Sequence, residues 1–465
     1  MNALSTTMRL LALLPMVVLF RPAAPLAAQG TTGLTIYNDG RVLVRRTIPA
    51  QVPKGASEQH LMLGALDPST LFSLDSTVVF TEARYDGAVD EPSVLRRAVG
   101  RRLTLQSGSA RDTVVATLLG VDPERYRLAD GSITFGRPGT LRYPEDLVVI
   151  DPTASLMVRS AAARSFLGVG YFTGGAAWEA SYQVVLGGAA ARVIGAAVIP
   201  SRTLRAESAD IQLLAGAVSR SAPEQRPMAR TMRTERMAAD VSEEKQVSEE
   251  RVGEFHLYTL PGKWTLLPGV TSSIALFEPA GVNYERGLVV RGQLPYWGFF
   301  PQRGDEEIVP VEVSYTLKRP RKTDFGDRPL PGGVARIYQA DSAGRQQLVG
   351  EATVEHTPAG TDLRLGAGEA FDLTAKRVQT NYVTRRDTVK AGGWHTSATA
   401  DYTVTITNAT DSAATVDVRE ERAGEWVVVS SSVPPVKLSS TVTRFRVRVP
   451  ARADARLTYR VRVSW

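Results

Sequence analysis

No cysteine occurs anywhere in the 465 residues. That excludes disulfide staples, thiolate metal cages, a cysteine nucleophile and a lipidated-cysteine anchor. Histidine is scarce as well, with only His60, His256, His356 and His395, none within four positions of another. A local metal clamp of the His-Glu-x-x-His kind is therefore missing, and no zinc cage is expected. Beyond the N-terminus no stretch approaches the ~18 apolar residues of a membrane-spanning helix. Sustained helical periodicity is also absent, and with it the strand–helix–strand rhythm of parallel α/β folds. There is no Gly-x-Ser-x-Gly elbow and no Walker loop. Ser242-Glu-Glu-Lys245 has the Ser-x-x-Lys spacing of penicillin-recognising enzymes, but it sits in a charged stretch with no Lys-Thr-Gly partner.

The formal charge is +7, small for this length. Two of the cations, Arg9 and Arg21, lie in an expected leader, and the other arginines are scattered in strand-like runs such as "RRTI", "LRRAVGRRL" and "FRVRV". A nucleic-acid binder concentrates its Lys and Arg on one face, so these read as solvated strand faces and no nucleic-acid partner is expected.

The leader is the first positive signal. "LLALLPMVVLF" follows a polar start with Arg9 and runs into "RPAAPLAAQG". This pattern predicts a signal peptide over 1–28, cleaved after Ala28, and hence an exported protein of the periplasm or cell surface. Downstream, period-two alternation with β-branched residues dominates. "LTIYNDGRVLVRRTIPA" reads as a hairpin, and "RRLTLQSG", "DTVVATLLGVD" and "YRLADGSITFG" as short strands with Gly turns. The expected fold is all-β: several immunoglobulin-like β-sandwich modules in series, with a small barrel-like β-module near the N-terminus. The expected domains are 29–95, the small module 96–150, a sandwich 151–320 and a C-terminal sandwich 321–465. A charged stretch at 219–253, basic then acidic and lacking aromatics, is expected to be a disordered insertion. "GDEEIVP" (304–310) and the proline-interrupted "LKRPRKTDFGDRPLPGGV" (317–334) read as exposed loops, the latter as a module boundary.

Glycines crowd into "LGVGYFTGGAAWEASYQVVL", residues 167–186. A phosphate-cradling loop delivers its glycines to a helix N-terminus. Here "AAWEASYQVVL" reads as a turn followed by a strand, so Gly168, Gly170, Gly174 and Gly175 are expected to serve the backbone alone. His356 follows Glu355, but no group is nameable to orient it as a general base. Asp305, Glu306, Glu307, Glu420 and Glu421 read as solvated charges, and neighbours such as Glu420 and Glu421 face opposite sides of a strand. No catalytic, cofactor or metal residue is expected.

At the C-terminus, "ARLTYRVRVSW" puts Leu457, Tyr459, Val461, Val463 and Trp465 on one face and Arg456, Arg460 and Arg462 on the other. A sandwich strand and an outer-membrane barrel strand both show this alternation; the shortness of most other strands favours the sandwich.

Several segments together resemble the exported bacterial β-proteins of the mucoidy inhibitor A-like family, whose shared C-terminal region is a domain of unknown function. They are "TIYNDGRVLVRRTIPAQVPKG" with "LMLGALDPSTL", "ATLLGVD" and "LADGSITF" with "DPTASLMVRS", "AAWEASYQVVL", "PLPGGVARIYQAD" with "VGEATVEHTPAG", and "YTVTITNATDSAATVDVREERAGEWVVVSSS". This chain lacks the coiled-coil heptads of many relatives. Where they tend to show Asn-x-Ser/Thr-Gly before a Trp, it reads "IPSRTLRAESADIQL". The resemblance implies a non-enzymatic envelope protein and carries over no site residue. The expected role is surface binding to an envelope protein or polysaccharide, with Tyr296, Trp297, Phe299 and Phe300 of "GQLPYWGFFPQRG" as the candidate interaction surface. The alternatives are a glycan-binding or carbohydrate-active protein and an outer-membrane β-barrel.

Overall fold

The computed structural model describes residues 30–108, 112–216, 247–294, 306–388 and 394–464. The expected leader, residues 217–246 of the charged stretch, Trp465, and the segment holding Tyr296, Trp297, Phe299 and Phe300 lie outside the described residues. The fold is all-β. Besides strands there are only the helix Glu91–Arg97, the four-residue helix Asp324–Asp327 and two three-residue helical turns among the described residues. Period-two patterning is what selects it: in Ala190–Ser201 every second side chain is buried, from Ala191 to Ser201.

The chain forms two compact units. One comprises Arg45–Gly64 and Leu71–Gly170, the other Thr32–Val44, Ala65–Thr70 and the chain from Tyr171 onward. In the first, Thr153–Ser160 is the centre of a three-stranded antiparallel sheet between Gly55–Met62 and Val78–Asp86. A second sheet runs Thr140–Arg142, Arg102–Gln106, Thr113–Val121, Glu124–Leu128, Ile133–Phe135. This sheet falls within the range 96–150 expected for a small barrel-like module, and it differs from that expectation in two ways. Its strands form an open path, not a barrel, and its core begins earlier, on the helix Glu91–Arg97. Asp90 caps that helix by accepting from the Ser93 N–H. Val94, Leu95 and Ala98 of this segment pack on Leu103, Leu105, Leu118 and Tyr126.

In the second unit, Thr31–Tyr37 lies parallel to Ala206–Ala215, followed by Phe255–Thr259 and then Ser248–Val252. The last pairing corrects the expectation of disorder through residue 253. Composition is locally polar, but Leu257 and Tyr258 supply buried side chains on the partner strand, and Gly253 takes the positive φ the hairpin turn needs.

A larger sheet places Gly333–Ala340 parallel to Glu179–Leu186, so strands from either side of the boundary expected near 320 share one sheet. Ala280–Gln293 is the corner of a two-layered region. It pairs with Glu307–Leu317 through residues 284–290, and with Ala414–Glu421 through residues 289–293. Pairing from residue 307 also corrects the loop expected at 304–310, since Pro310 sits opposite Thr374 in the ladder. On the C-terminal strand Ala453–Ser464, Leu457, Tyr459, Val461 and Val463 are buried while Arg456, Arg460 and Arg462 face water. The rings of Phe445 and Tyr459 stack at 5.0 Å. The apolar face fills a protein core, as a sandwich strand requires.

The glycine-rich stretch behaves as the sequence implies. Gly175 has φ +92°, and its carbonyl accepts from the N–H groups of Arg202 and Thr203 at 2.7 and 3.1 Å. The strand Glu179–Leu186 follows, with no helix to receive a phosphate.

Candidate functional site

The site is built on "RPLPGG", residues 328–333, in the second unit. Proline has no N–H, so Pro329 and Pro331 cannot donate to a ladder, while their carbonyls still need donors. Two tyrosine hydroxyls supply them: Tyr182 donates to the Pro331 carbonyl at 2.7 Å and Tyr258 to that of Pro329 at 3.3 Å. Burial pushes both phenols well above their ordinary pKa, which keeps them protonated and donating. Between the prolines, Leu330 exchanges backbone hydrogen bonds with Thr357 at 2.8 and 2.9 Å. Removing one hydroxyl tests this arrangement. Tyr182→Phe leaves the Pro331 carbonyl without its donor and is expected to lower unfolding stability by about 1–3 kcal/mol. An unchanged urea midpoint would show that the bond contributes nothing.

Arg319 fixes the same segment from behind, correcting the expectation of an exposed loop. It is 1% exposed, and all five guanidinium N–H groups are used. Nε and one terminal nitrogen donate to the Phe325 carbonyl at 3.2 and 3.1 Å, and the other terminal nitrogen to those of Pro358 and Thr361 at 3.1 Å each. The fifth bond goes to the Arg328 carbonyl. The guanidinium also sits over the Phe325 ring at 5.1 Å.

In front of this wall lies a cleft of about 220 Å³, lined by Glu254, His256, Tyr258, Pro329–Pro331, His356 and their neighbours. His256 comes from the strand Phe255–Thr259, and its Nδ1 lies 2.6 Å from Glu249 Oε1 on the adjacent strand. The carboxylate can only accept, so in the neutral imidazole Nδ1 carries the proton and Nε2 keeps its lone pair. His356 is held the opposite way. Its Nδ1 accepts the Gly332 N–H at 3.0 Å, so its neutral ring carries the proton on Nε2. Neither Nε2 has a hydrogen-bond partner among the described residues. One ring therefore offers an acceptor and the other a donor.

This geometry does not suit a metal. A ligating nitrogen needs a free lone pair, and on His356 the backbone N–H already occupies the one on Nδ1. Among the described residues no three His, Asp or Glu side chains are placed to hold a metal ion. The pair His256–Glu249 is what an oriented general base looks like. The cleft's hydroxyl neighbour, Thr357, donates instead to the Glu355 carbonyl at 2.7 Å.

No protein-family model and no curated protein matches the chain. The likeness to the mucoidy inhibitor A-like family rests on the sequence segments alone.

Of the other residues singled out, His60 is exposed on the first unit, 2.9 Å from the Ser155 hydroxyl. Glu306 meets Lys376 at 2.8 Å in water, and Glu307 reaches Arg377 at 3.4 Å. Glu421 is exposed, but Glu420, its strand neighbour, is fully buried, overturning the solvated reading. Its two oxygens take Nε and a terminal nitrogen of Arg377 at 3.0 and 3.1 Å, and the Tyr459 hydroxyl donates to it. The cleft residues that sequence reasoning missed are Glu249 and Glu254. The signal was faint: a Gly-Glu turn between two short alternating runs at 248–259.

Proposed function

We propose that the protein is an exported binding protein of the cell envelope, and that the cleft before Pro329–Pro331 captures a hydroxyl-bearing ligand, a glycan. The observation that carries this is the opposed pair of imidazoles. A sugar hydroxyl both donates and accepts, so one hydroxyl meets His256 Nε2 as donor, and a neighbouring one meets His356 Nε2–H as acceptor. The proline and tyrosine floor gives the sugar ring an apolar surface, as such sites usually do. The leader supports export.

The test is a glycan array followed by calorimetry on the hits. His256→Ala and His356→Ala are each expected to weaken binding about tenfold, the effect of one lost hydrogen bond to a buried partner. A flat array profile sinks the glycan reading; hits that both variants bind unchanged remove the cleft from it. A second reading follows from the Glu249–His256 pair, which could activate water. Shortening of the bound glycan on incubation, lost in Glu249→Gln, would make the protein a carbohydrate-active enzyme instead.

A further inference from the structure

The first unit presents a face that the glycan reading leaves unused. Its five-stranded sheet buries Leu103, Leu105, Leu118 and Tyr126 on one side. The alternation that turns these inward turns Arg102, Val115, Arg125, Arg127, Ile133 and Phe135 outward. The ladder sets them in rows: Arg102 beside Thr117, Arg127 and Ile133; Arg125 beside Phe135; and Arg142 beside Thr104 and Val115. Arg102 and Arg127 are two strands apart, roughly 10 Å, and Arg125 and Arg127 roughly 7 Å apart along one strand. Their neighbours on this face are Thr, Gln and apolar residues. The nearby acids lie at turns or point away: Glu124 is on the core side, bound by Arg137 and the Tyr126 hydroxyl. None of the four arginines is ion-paired among the described residues. Between them stand Phe135, Ile133 and Val115, 71%, 54% and 47% exposed.

We propose that this face docks on an anionic lipid surface. Four uncompensated guanidinium groups on one side of a sheet call for a surface dense in negative charge. The apolar side chains choose among such surfaces. A soluble polyanion would engage the arginines alone and leave Phe135, Ile133 and Val115 in water. A bilayer interface buries all three, while the arginines reach out to the phosphates.

Flotation of the purified protein with vesicles tests the assignment. Neutral phosphatidylcholine vesicles are compared with vesicles containing a quarter phosphatidylglycerol, at low and high salt. Binding is expected only with the anionic lipid and is expected to fall at high salt. Arg125→Ser with Arg127→Ser should weaken it about thirtyfold, and Phe135→Ser about tenfold. These are exposed positions, and an unchanged melting temperature verifies the fold of each variant. Failure to bind anionic vesicles, or equal binding by the folded variants, overturns the proposal. So does binding to a soluble polyuronate, lost in the arginine variant, without vesicle binding. None of these outcomes bears on the glycan cleft, whose residues lie in the other unit.

Discussion

Replacing Glu420 with alanine is expected to destabilise the protein by about 3–5 kcal/mol, a large part of the whole stability of a typical domain. The reason is what stays behind. Arg377 is 2% exposed, its guanidinium lies 4.1 Å over the Tyr402 ring, and among the described residues its other carboxylate partner, Glu307, is solvent-exposed and held at a longer 3.4 Å. Burial works against its charge, yet the pull of Glu420 holds its pKa above the ordinary value. Without that partner the cation is buried and largely uncompensated, and the Tyr459 hydroxyl loses its acceptor. The backbone is shaped around this pair: Gly292 is registered opposite Glu420, and a Cβ there would come within 2.2 Å of the carboxylate. Chemical denaturation of Glu420→Ala and of the double variant Glu420→Leu/Arg377→Met separates pairing from charge. The double variant should recover most of the loss, because an apolar pair of similar volume removes the stranded cation. If the single variant loses less than about 1 kcal/mol, the pair is a bystander.

Arg319→Met should produce a loss of similar size, about 3–4 kcal/mol, by another route. Here the buried cation faces carbonyl dipoles in place of a carboxylate; removing it takes the guanidinium donors from the carbonyls of Phe325, Arg328 and Thr361, and leaves that of Pro358 only the Thr361 N–H at 3.3 Å. Arg319→Lys should rescue little. An ammonium has three donors on one atom and cannot span acceptors placed around a planar fork. The wall of the cleft loses its rear support in both variants, so ligand binding should weaken along with the denaturation midpoint. A lysine variant as stable as the parent would show that charge, not fork geometry, holds the loop.

The strands were legible because burial on a pleat follows every second residue, and the alternation in Ala453–Ser464 or Ala190–Ser201 is nearly unbroken. The small module was legible from its Gly turns. The buried charges were not. Glu420 next to Glu421 looks solvated until the strand carrying Arg377 is brought over it, and nothing local to "VREER" announces that partner. The cleft was hidden for a related reason. Composition averaged Glu249 into a polar stretch, and His256 and His356 come from segments far apart in sequence that converge only in the fold. Rings that look isolated along the chain gain their orientation from Glu249 and from the Gly332 N–H.

The parallel ladder between Ala180–Leu186 and Gly333–Gln339 has a kinetic consequence. An antiparallel hairpin closes as soon as its two arms exist, but this pairing must wait until the ribosome has made the second strand, some hundred and fifty residues later. Until then Glu179–Leu186 has an unpaired edge, and Tyr182 lacks the proline carbonyl it will serve. Nascent chains stopped before residue 333 should therefore be protease-sensitive and prone to aggregate, whereas the module around Leu118 and Tyr126, whose contacts are local, assembles early.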